Sequence, residues 1–321
     1  MVGSMAVVLI GVLAILPSPA WAIHRWSIVS SPDNETGNNG LSGVSCVSAM
    51  NCEAVGSSAG QTLVESWNGG AWTIQSSPDN GTENNVLAGV SCVSATSCEA
   101  VGYEYLENSA DYFTLVESWN GTAWTIQSSQ NAEPGQSLLS GVSCVSATSC
   151  EAVGDDVDTG GVSRSFVESW NGGAWTIQSS PDNGTEANVL SGVSCVSATS
   201  CQAVGSYESA NGIHSLVESW NGAAWTIQSS PDNGTDADVL SGVSCVSATS
   251  CQAVGDRVNP SFISRTLVES KQHSKWKVHP SPNQGSQGDS LIGVSCVSTS
   301  CQAVGEYDSA SGTRTLIESS G

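Results

Sequence analysis

Twelve cysteines fall in six pairs: Cys46/Cys52, Cys92/Cys98, Cys144/Cys150, Cys195/Cys201, Cys245/Cys251 and Cys296/Cys301. Paired thiols at this spacing fit a local disulfide, a metal–thiolate site, or free buried thiols. A tetrahedral metal shell needs four ligands, and no His and no second pair recurs beside the cysteines to complete one. Free thiols belong to reducing compartments, whereas even, periodic cysteines in an exported chain read as a disulfide framework. All six bonds are therefore expected within one pair each, as staples flanking a turn.

Carboxylates are the second chemical group. Asp155, Asp156 and Asp158 cluster, as do Asp232, Asp236 and Asp238 in Asp-Asn-Gly-Thr-Asp-Ala-Asp. Neither cluster carries the closing bidentate Glu of a calcium loop, so no metal and no cofactor is expected. Glu65, Glu117, Glu168, Glu218, Glu269 and Glu318 recur in one phrase, Val-Glu-Ser or Ile-Glu-Ser. Six equivalent carboxylates indicate a structural hydrogen-bond position rather than a catalyst. The residue after each second cysteine is Glu53, Glu99 or Glu151 in three cases and Gln202, Gln252 or Gln302 in the others, which argues against a required charge. The four histidines have neither metal-ligand nor triad spacing. Trp67/Trp72, Trp119/Trp124, Trp170/Trp175 and Trp220/Trp225 suit sugar stacking, but their recurrence points to packing between repeats.

These residues are positioned by a repeat. The first cysteines are spaced by 46, 52, 51, 50 and 51 residues. That period excludes ankyrin, tetratricopeptide and leucine-rich repeats and matches a propeller blade of about 50 residues. The repeat is rich in Gly, Ser, Val, Thr and Trp, which disfavours helix. The unit at Gly192 to Ser230 predicts four short strands: Leu190 to Val196, Cys201 to Ser206, Ser215 to Trp220 and Ala224 to Ser229. The Asn221-Gly222 pair joins the last two as a tight hairpin, since both residues tolerate positive φ. Four antiparallel strands per unit make an all-β chain with six blades.

The repeat units run over about 41–77, 87–129, 138–180, 190–230, 240–281 and 291–320. The last lacks a fourth strand, while His24 to Pro32 matches the fourth-strand phrase alone. The expected fold is a six-bladed β-propeller of four-stranded antiparallel blades, with residues 25–31 completing the last blade. This closure would also cover otherwise unpaired edges. Residues 23–321 are expected to form that single domain.

The order Ala-Val-Gly, variable segment, Leu-Val-Glu-Ser-Trp-Asn-Gly, Ala-Trp-Thr, Ser-Ser-Pro resembles a kelch-type propeller repeat, with one of the kelch double glycines present (Gly56, Gly102, Gly154, Gly205, Gly255 and Gly305). The hairpin Ser66-Trp67-Asn68-Gly69-Gly70-Ala71-Trp72 is similar to the Asp-box of sialidase-like propellers, one residue shorter and with Asn for Asp. The chain most resembles secreted bacterial proteins with Gly-Val-Ser-Cys…Cys-x-Ala-Val-Gly repeats. The resemblance covers residues 24–320 and implies architecture, because propellers host unrelated functions. Sialidase-like chemistry would need an arginine cluster, and the chain has five Arg in all.

Residues 1–22 read as a signal peptide: twelve apolar residues from Met5 to Leu16, then Pro17, Pro19 and the small-x-small Ala20-Trp21-Ala22. The apolar run is too short to span a bilayer. A secreted, extracellular monomer follows. The net charge of −22 disfavours nucleic acid and anionic lipid as partners. Five of the eight basic residues lie between Arg257 and Lys277, making one blade locally basic. Asn34, Asn80, Asn120, Asn183 and Asn233 stand in Asn-x-Thr sequons, which matter only in a glycosylating host.

Blade geometry sends the segments between strands two and three to one rim. These are the variable parts, and variable segments on a rigid scaffold carry binding. Tyr103, Tyr105, Asp155, Asp156, Tyr207, His214, Arg257 and Tyr307 are the candidate binding residues. The expected function is non-catalytic binding of an extracellular protein or glycan. A glycan-active hydrolase or lyase with two rim carboxylates is a second reading, and a structural envelope component a third.

Overall fold

The computed structural model describes residues 29–33, 38–81, 84–107, 111–132, 136–231, 237–284 and 288–320. Residues 1–28, which include the expected signal peptide and the first part of the expected closing strand, lie outside the described residues, as do Asp232 and Asp236, and residues 29–31 form no strand. Met1–Ser30 and Ser31–Gly321 are separate compact units, and every described strand belongs to the second.

That unit is all-β: six antiparallel sheets in chain order, forming the six blades of a propeller ring, with no helix among the described residues. Five blades have four strands and the sixth has three. In blade four the strands are Asn188–Ser197, Ser200–Ser209, Gly212–Trp220 and Trp225–Ile227. Strands two and three are longer than the sequence predicts. Their pairing runs on through Tyr207↔His214 and Glu208↔Ile213 to Ser209↔Gly212, so the variable segment is a hairpin arm rather than a loop.

Cys201 to Gly205 is buried at every position, because this strand sits mid-sheet with a neighbouring blade on each face. A Cβ on Gly205 would lie 1.9 Å from the Val189 carbonyl oxygen, so only glycine fits beside the first strand, which bulges between Leu190 and Gly192. Each blade interface repeats one cluster. Val153 and Val167 of blade three pack on Leu190, Cys201, Ala203, Leu216 and Trp225 of blade four. The same set recurs between blades one and two, two and three, and four and five. At the ring centre the Ser194 hydroxyl accepts from the Cys245 backbone N–H of the next blade at 3.0 Å, and four equivalents exist.

All six disulfides are local, with Cα–Cα separations of 4.0 Å: Cys46–Cys52, Cys92–Cys98, Cys144–Cys150, Cys195–Cys201, Cys245–Cys251 and Cys296–Cys301. The partners stand directly opposite on strands one and two, as for Cys195↔Cys201. They flank the turn between those strands as the sequence predicts, and the structure adds a second role. The second cysteine of every pair is a core residue: Cys52, Cys98, Cys150, Cys201, Cys251 and Cys301 are all buried, at most 7% exposed. Cys98, Cys150, Cys201 and Cys251 belong to the inter-blade clusters themselves. The physical reason is their place on the mid-sheet second strand, whereas the first cysteines lie on the innermost strand and stay half-buried or exposed. Each bond therefore ties the inner strand to the packed interface as well as closing a turn, and its buried sulfur is closed to any ligand.

The Asn-Gly hairpins beside the disulfides are tied down. Asn221 Oδ1 accepts from the N–H groups of Ala223 and Ala224 at 2.9 and 3.0 Å, and Gly222 takes a φ of 88°. The indole N–H of Trp220 donates to the Ala198 carbonyl of the cysteine-flanked turn at 3.1 Å, as do its counterparts in blades one to three. These tryptophans therefore pin one hairpin to the other. Blade five has Lys271 there, and the His273 N–H donates to the Thr249 carbonyl instead, at 2.9 Å.

The seam between blades six and one departs from the repeat. Val304 and Ile317 are 45% and 46% exposed, whereas their equivalents Val153 and Val167 are fully buried. Leu41 is 46% exposed, against 0% for Leu190. The cluster at blade six holds Val254, Leu291, Ala303 and Leu316 but no tryptophan. That cluster is the interface of blades five and six, and a cavity of about 280 Å³ lies in it, lined by Val254, Val268, Val294, Cys301 and Ala303, the surroundings that Trp225 has between blades three and four.

Candidate functional rim

The hairpin arms carry a different cross-strand pair on almost every blade. Residues directly opposite in an antiparallel ladder share a face, so each pair presents two side chains together. Blade two brings Tyr105 opposite Tyr112, with Tyr103 alongside. The ring centroids are 4.8 Å apart for Tyr105–Tyr112 and 5.4 Å for Tyr103–Tyr112. All three are half-buried. Blade four stacks Tyr207 on His214 at 5.0 Å, with the Ser209 hydroxyl 2.8 Å from His214 Nε2. Blade five sets Arg257 opposite Arg265, and Arg265 Nη1 lies 3.0 Å from a buried Asp289 carboxylate. Blade six sets Tyr307 opposite Arg314, with Tyr307 packed against the local core.

Blade three is different. Asp155 and Asp156 are buried, and burial pushes both carboxyls up against hydrogen bonds from Ser163 and Ser137 respectively. As successive strand residues they point to opposite faces of the sheet. Asp158 accepts from the N–H groups of Gly160 and Val162 at 2.8 and 3.1 Å and pairs with Arg164 at 3.0 Å. The three acids thus serve separate partners rather than one centre. Among the described residues, no group of three or more His, Cys, Asp or Glu is placed to hold a metal ion. The eight candidate residues therefore do not converge on one centre: they sit on five separate blades.

Sequence reasoning missed Tyr112 and Arg265, which only register brings opposite Tyr105 and Arg257. It also missed an inter-blade latch. The second serine of each Ser-Ser-Pro or its equivalent donates to the strand-three glutamate of the next blade: Ser180 to Glu218 at 2.5 Å, Ser230 to Glu269 and Ser281 to Glu318 at 2.6 Å. Ser77 bonds Glu117 and Ser129 bonds Glu168 in the same way. Ser31 reaches Glu65 at 2.8 Å, so the chain enters blade one as it enters every later blade. The signal was two words recurring in step, 34 to 40 residues apart. The Glu/Gln interchange is explained too. Ser118 and Ser169 donate to Glu99 and Glu151 at 2.9 and 3.1 Å, while Gln202 reverses the bond by donating to Ser219 at 2.8 Å.

Burial raises Glu99, Glu117, Glu151, Glu218 and Glu269 to about 7 from 4.5, against the hydrogen bonds that lower them. Asp79, Asp182 and Asp238 add repulsion at Glu117, Glu218 and Glu269, where Arg257 partly relieves the last. Each acid holds its proton more tightly folded than unfolded. Its stabilisation is present below about pH 4.5 and is lost as pH rises through about 7. The melting temperature should therefore fall by several degrees between pH 5 and pH 8. Glu99→Gln with Glu151→Gln should flatten that slope, since blades four to six already carry Gln there. Calorimetry across pH checks this, and a melting temperature that rises with pH would count against it.

No family model and no curated protein matches the sequence. Solved propeller structures match the fold. The SapL1 lectin in complex with alpha methyl fucoside superposes with a TM-score of 0.53 at 10% identity, over 86% of this chain and 94% of that one. AofleA from Arthrobotrys oligospora gives 0.50 at 10% identity, over 87% and 86%. At this identity the likeness is one of architecture alone.

Proposed function

We propose that this chain is a secreted, non-catalytic binding propeller that recognises an extracellular protein or glycan through its hairpin-arm rim. One observation carries the reading. The inter-blade latches repeat from blade to blade and the Trp-Asn-Gly turns through blades one to four, while the rim pairs change from tyrosines to Tyr–His to Arg–Arg. A scaffold that holds everything fixed except one face concentrates recognition there. Half-buried tyrosines supply rigid contact area with a polar tip, the chemistry of adaptable binding faces. The lectin among the matched structures fits a binding role for this architecture. The separate engagements of Asp155, Asp156 and Asp158 support binding over hydrolysis, which needs two carboxyls facing one substrate. The six disulfides fit an oxidising, extracellular site of action.

A glycan and protein binding screen, run with a parallel hydrolysis assay, tests this. Tyr105→Ala with Tyr112→Ala, or His214→Ala, is expected to weaken a hit by about tenfold or more, as truncating an aromatic anchor does. A hit indifferent to every rim variant, or turnover of any glycan, would overturn the reading.

A further inference from the structure

Blade five is where the chain departs furthest from its own repeat. Blades one to four end on an outer strand reading Ala-Trp-Thr-Ile-Gln, uncharged throughout. Blade five reads Lys275-Trp276-Lys277-Val278-His279. Trp276 keeps its buried place, so alternation turns Lys275, Lys277 and His279 to the other face, where all three are exposed and His279 Nε2 lies 2.5 Å from Ser270 Oγ beside the blade five–six cavity. They are about 6.6 Å apart, a stripe of about 13 Å. His279 also lines the wall of a pocket of about 540 Å³ at the rim, with Arg257 and Arg265. Stripe and pocket are therefore continuous.

Two bland explanations do not cover this set. Charges on an edge strand discourage sheet-to-sheet pairing, yet four blades leave the same strand uncharged. Arg265 serves as counter-ion to buried Asp289, and Arg257 lies beside Glu269. Neither pairing involves Lys275 or Lys277. The Asp289 contact anchors one nitrogen of the Arg265 guanidinium at 3.0 Å, and guanidinium is the side-chain group whose fork of N–H donors matches a carboxylate. The pocket's remaining lining is mild: Thr266, Ser281 and Asn283, each held by hydrogen bonds, and the apolar faces of Val278 and Pro280. Hydroxyl partners beside an apolar face suit a sugar ring, which a bare phosphate chain does not present.

We propose that the outer strand of blade five and the pocket beside it form an anion-binding track for a carboxylated (uronate-bearing) glycan. This rests on the binding reading above and names its ligand class. In a chain of net charge −22, the local cations fix where an anionic sugar docks, and repulsion from the remaining surface limits binding elsewhere.

Titration calorimetry with trigalacturonate, maltotriose and inorganic tripolyphosphate tests the track. Trigalacturonate should bind, and should weaken several-fold between about 50 and 200 mM salt. The triple variant Lys275→Ala, Lys277→Thr, His279→Gln installs the residues that blades one to four carry, which guards its folding. It should lower trigalacturonate affinity at least tenfold. Thr125→Ala, at the exposed place on blade two that Lys277 holds on blade five, should leave it unchanged. No trigalacturonate binding, equal binding of maltotriose, or an unaffected triple variant would overturn the proposal. Tripolyphosphate bound in preference to trigalacturonate would overturn the glycan assignment. A screen hit that maps to blades two or four, without trigalacturonate binding, would keep the rim reading and remove this one.

Discussion

Replacing Trp26 with alanine should lower the melting temperature by about 6–15 °C, and deleting residues 23–32 should lower it further. Trp→Ala in a core costs about 3–5 kcal/mol, and each kcal/mol moves a domain of this size by about 2–3 °C. The expectation comes from the cavity at blade six. Its walls are Val254, Val268, Val294, Cys301 and Ala303. Their equivalents in the other blades surround Trp124, Trp175, Trp225 or Trp276. Trp26, in the fourth-strand phrase of residues 25–31, is the side chain of matching kind at the matching place in the repeat. The competing seat for that segment, against residues 61–67, is taken, because Trp67 pairs with Trp72 and Val64 with Gln75. Ser31 on Glu65 already has the position of a blade exit. Closure should also let Val304 and Ile317 meet Leu41 in a sixth cluster. Differential scanning calorimetry of Trp26→Ala, Trp26→Phe and the deletion checks this. A Trp26→Ala protein melting within a degree of the parent would sink it, and Trp26→Phe should recover most of the loss.

Reduction should be the most damaging single treatment. In the chain-entropy picture each small loop contributes about 2 kcal/mol. The six together rival the whole net stability of an ordinary domain, about 5–15 kcal/mol. Reduced protein is therefore expected to unfold near ambient temperature, while Cys195→Ala with Cys201→Ala, which puts no hydroxyl into the core, should cost about 4–6 °C from the lost cross-link. The difference arises because one staple is a small share of a repeated array, whereas every blade loses its own on reduction. Intact mass should lie about 12 Da below the reduced value, two hydrogens per bond. Unreduced peptide maps should link Cys195 to Cys201 and never to Cys245. A cross-blade link, or a reduced protein that melts as the oxidised one does, would refute the assignment.

Period, strand content and the local disulfides were legible in the sequence because they are short-range. A two-residue Asn-Gly turn fixes its hairpin. Cysteines flanking a four- or five-residue turn can meet only each other. That Cys52, Cys98 and Cys150 are core residues was not legible, because burial of the second strand comes from the blades stacked on either side of it. Blade count follows from counting pairs. The rim was legible as a place, since the segments after each Ala-Val-Gly vary, but not as a set of pairs. Whether Tyr105 faces Tyr112, and Arg257 faces Arg265, depends on the register of a hairpin arm, and a one-residue slip would put every side chain on the other face. The role of the repeated glutamates was half legible. Recurrence marked them as structural, but their serine partners sit about 40 positions away on the previous blade. Only stacking of blade on blade brings those partners together, and that same stacking excludes water and lifts the carboxyls to about 7. The sequence alone determined the unit and its staples, because those rest on local backbone geometry. The ring decided which side chains share a face, a latch or a cavity, because those depend on how whole sheets pack.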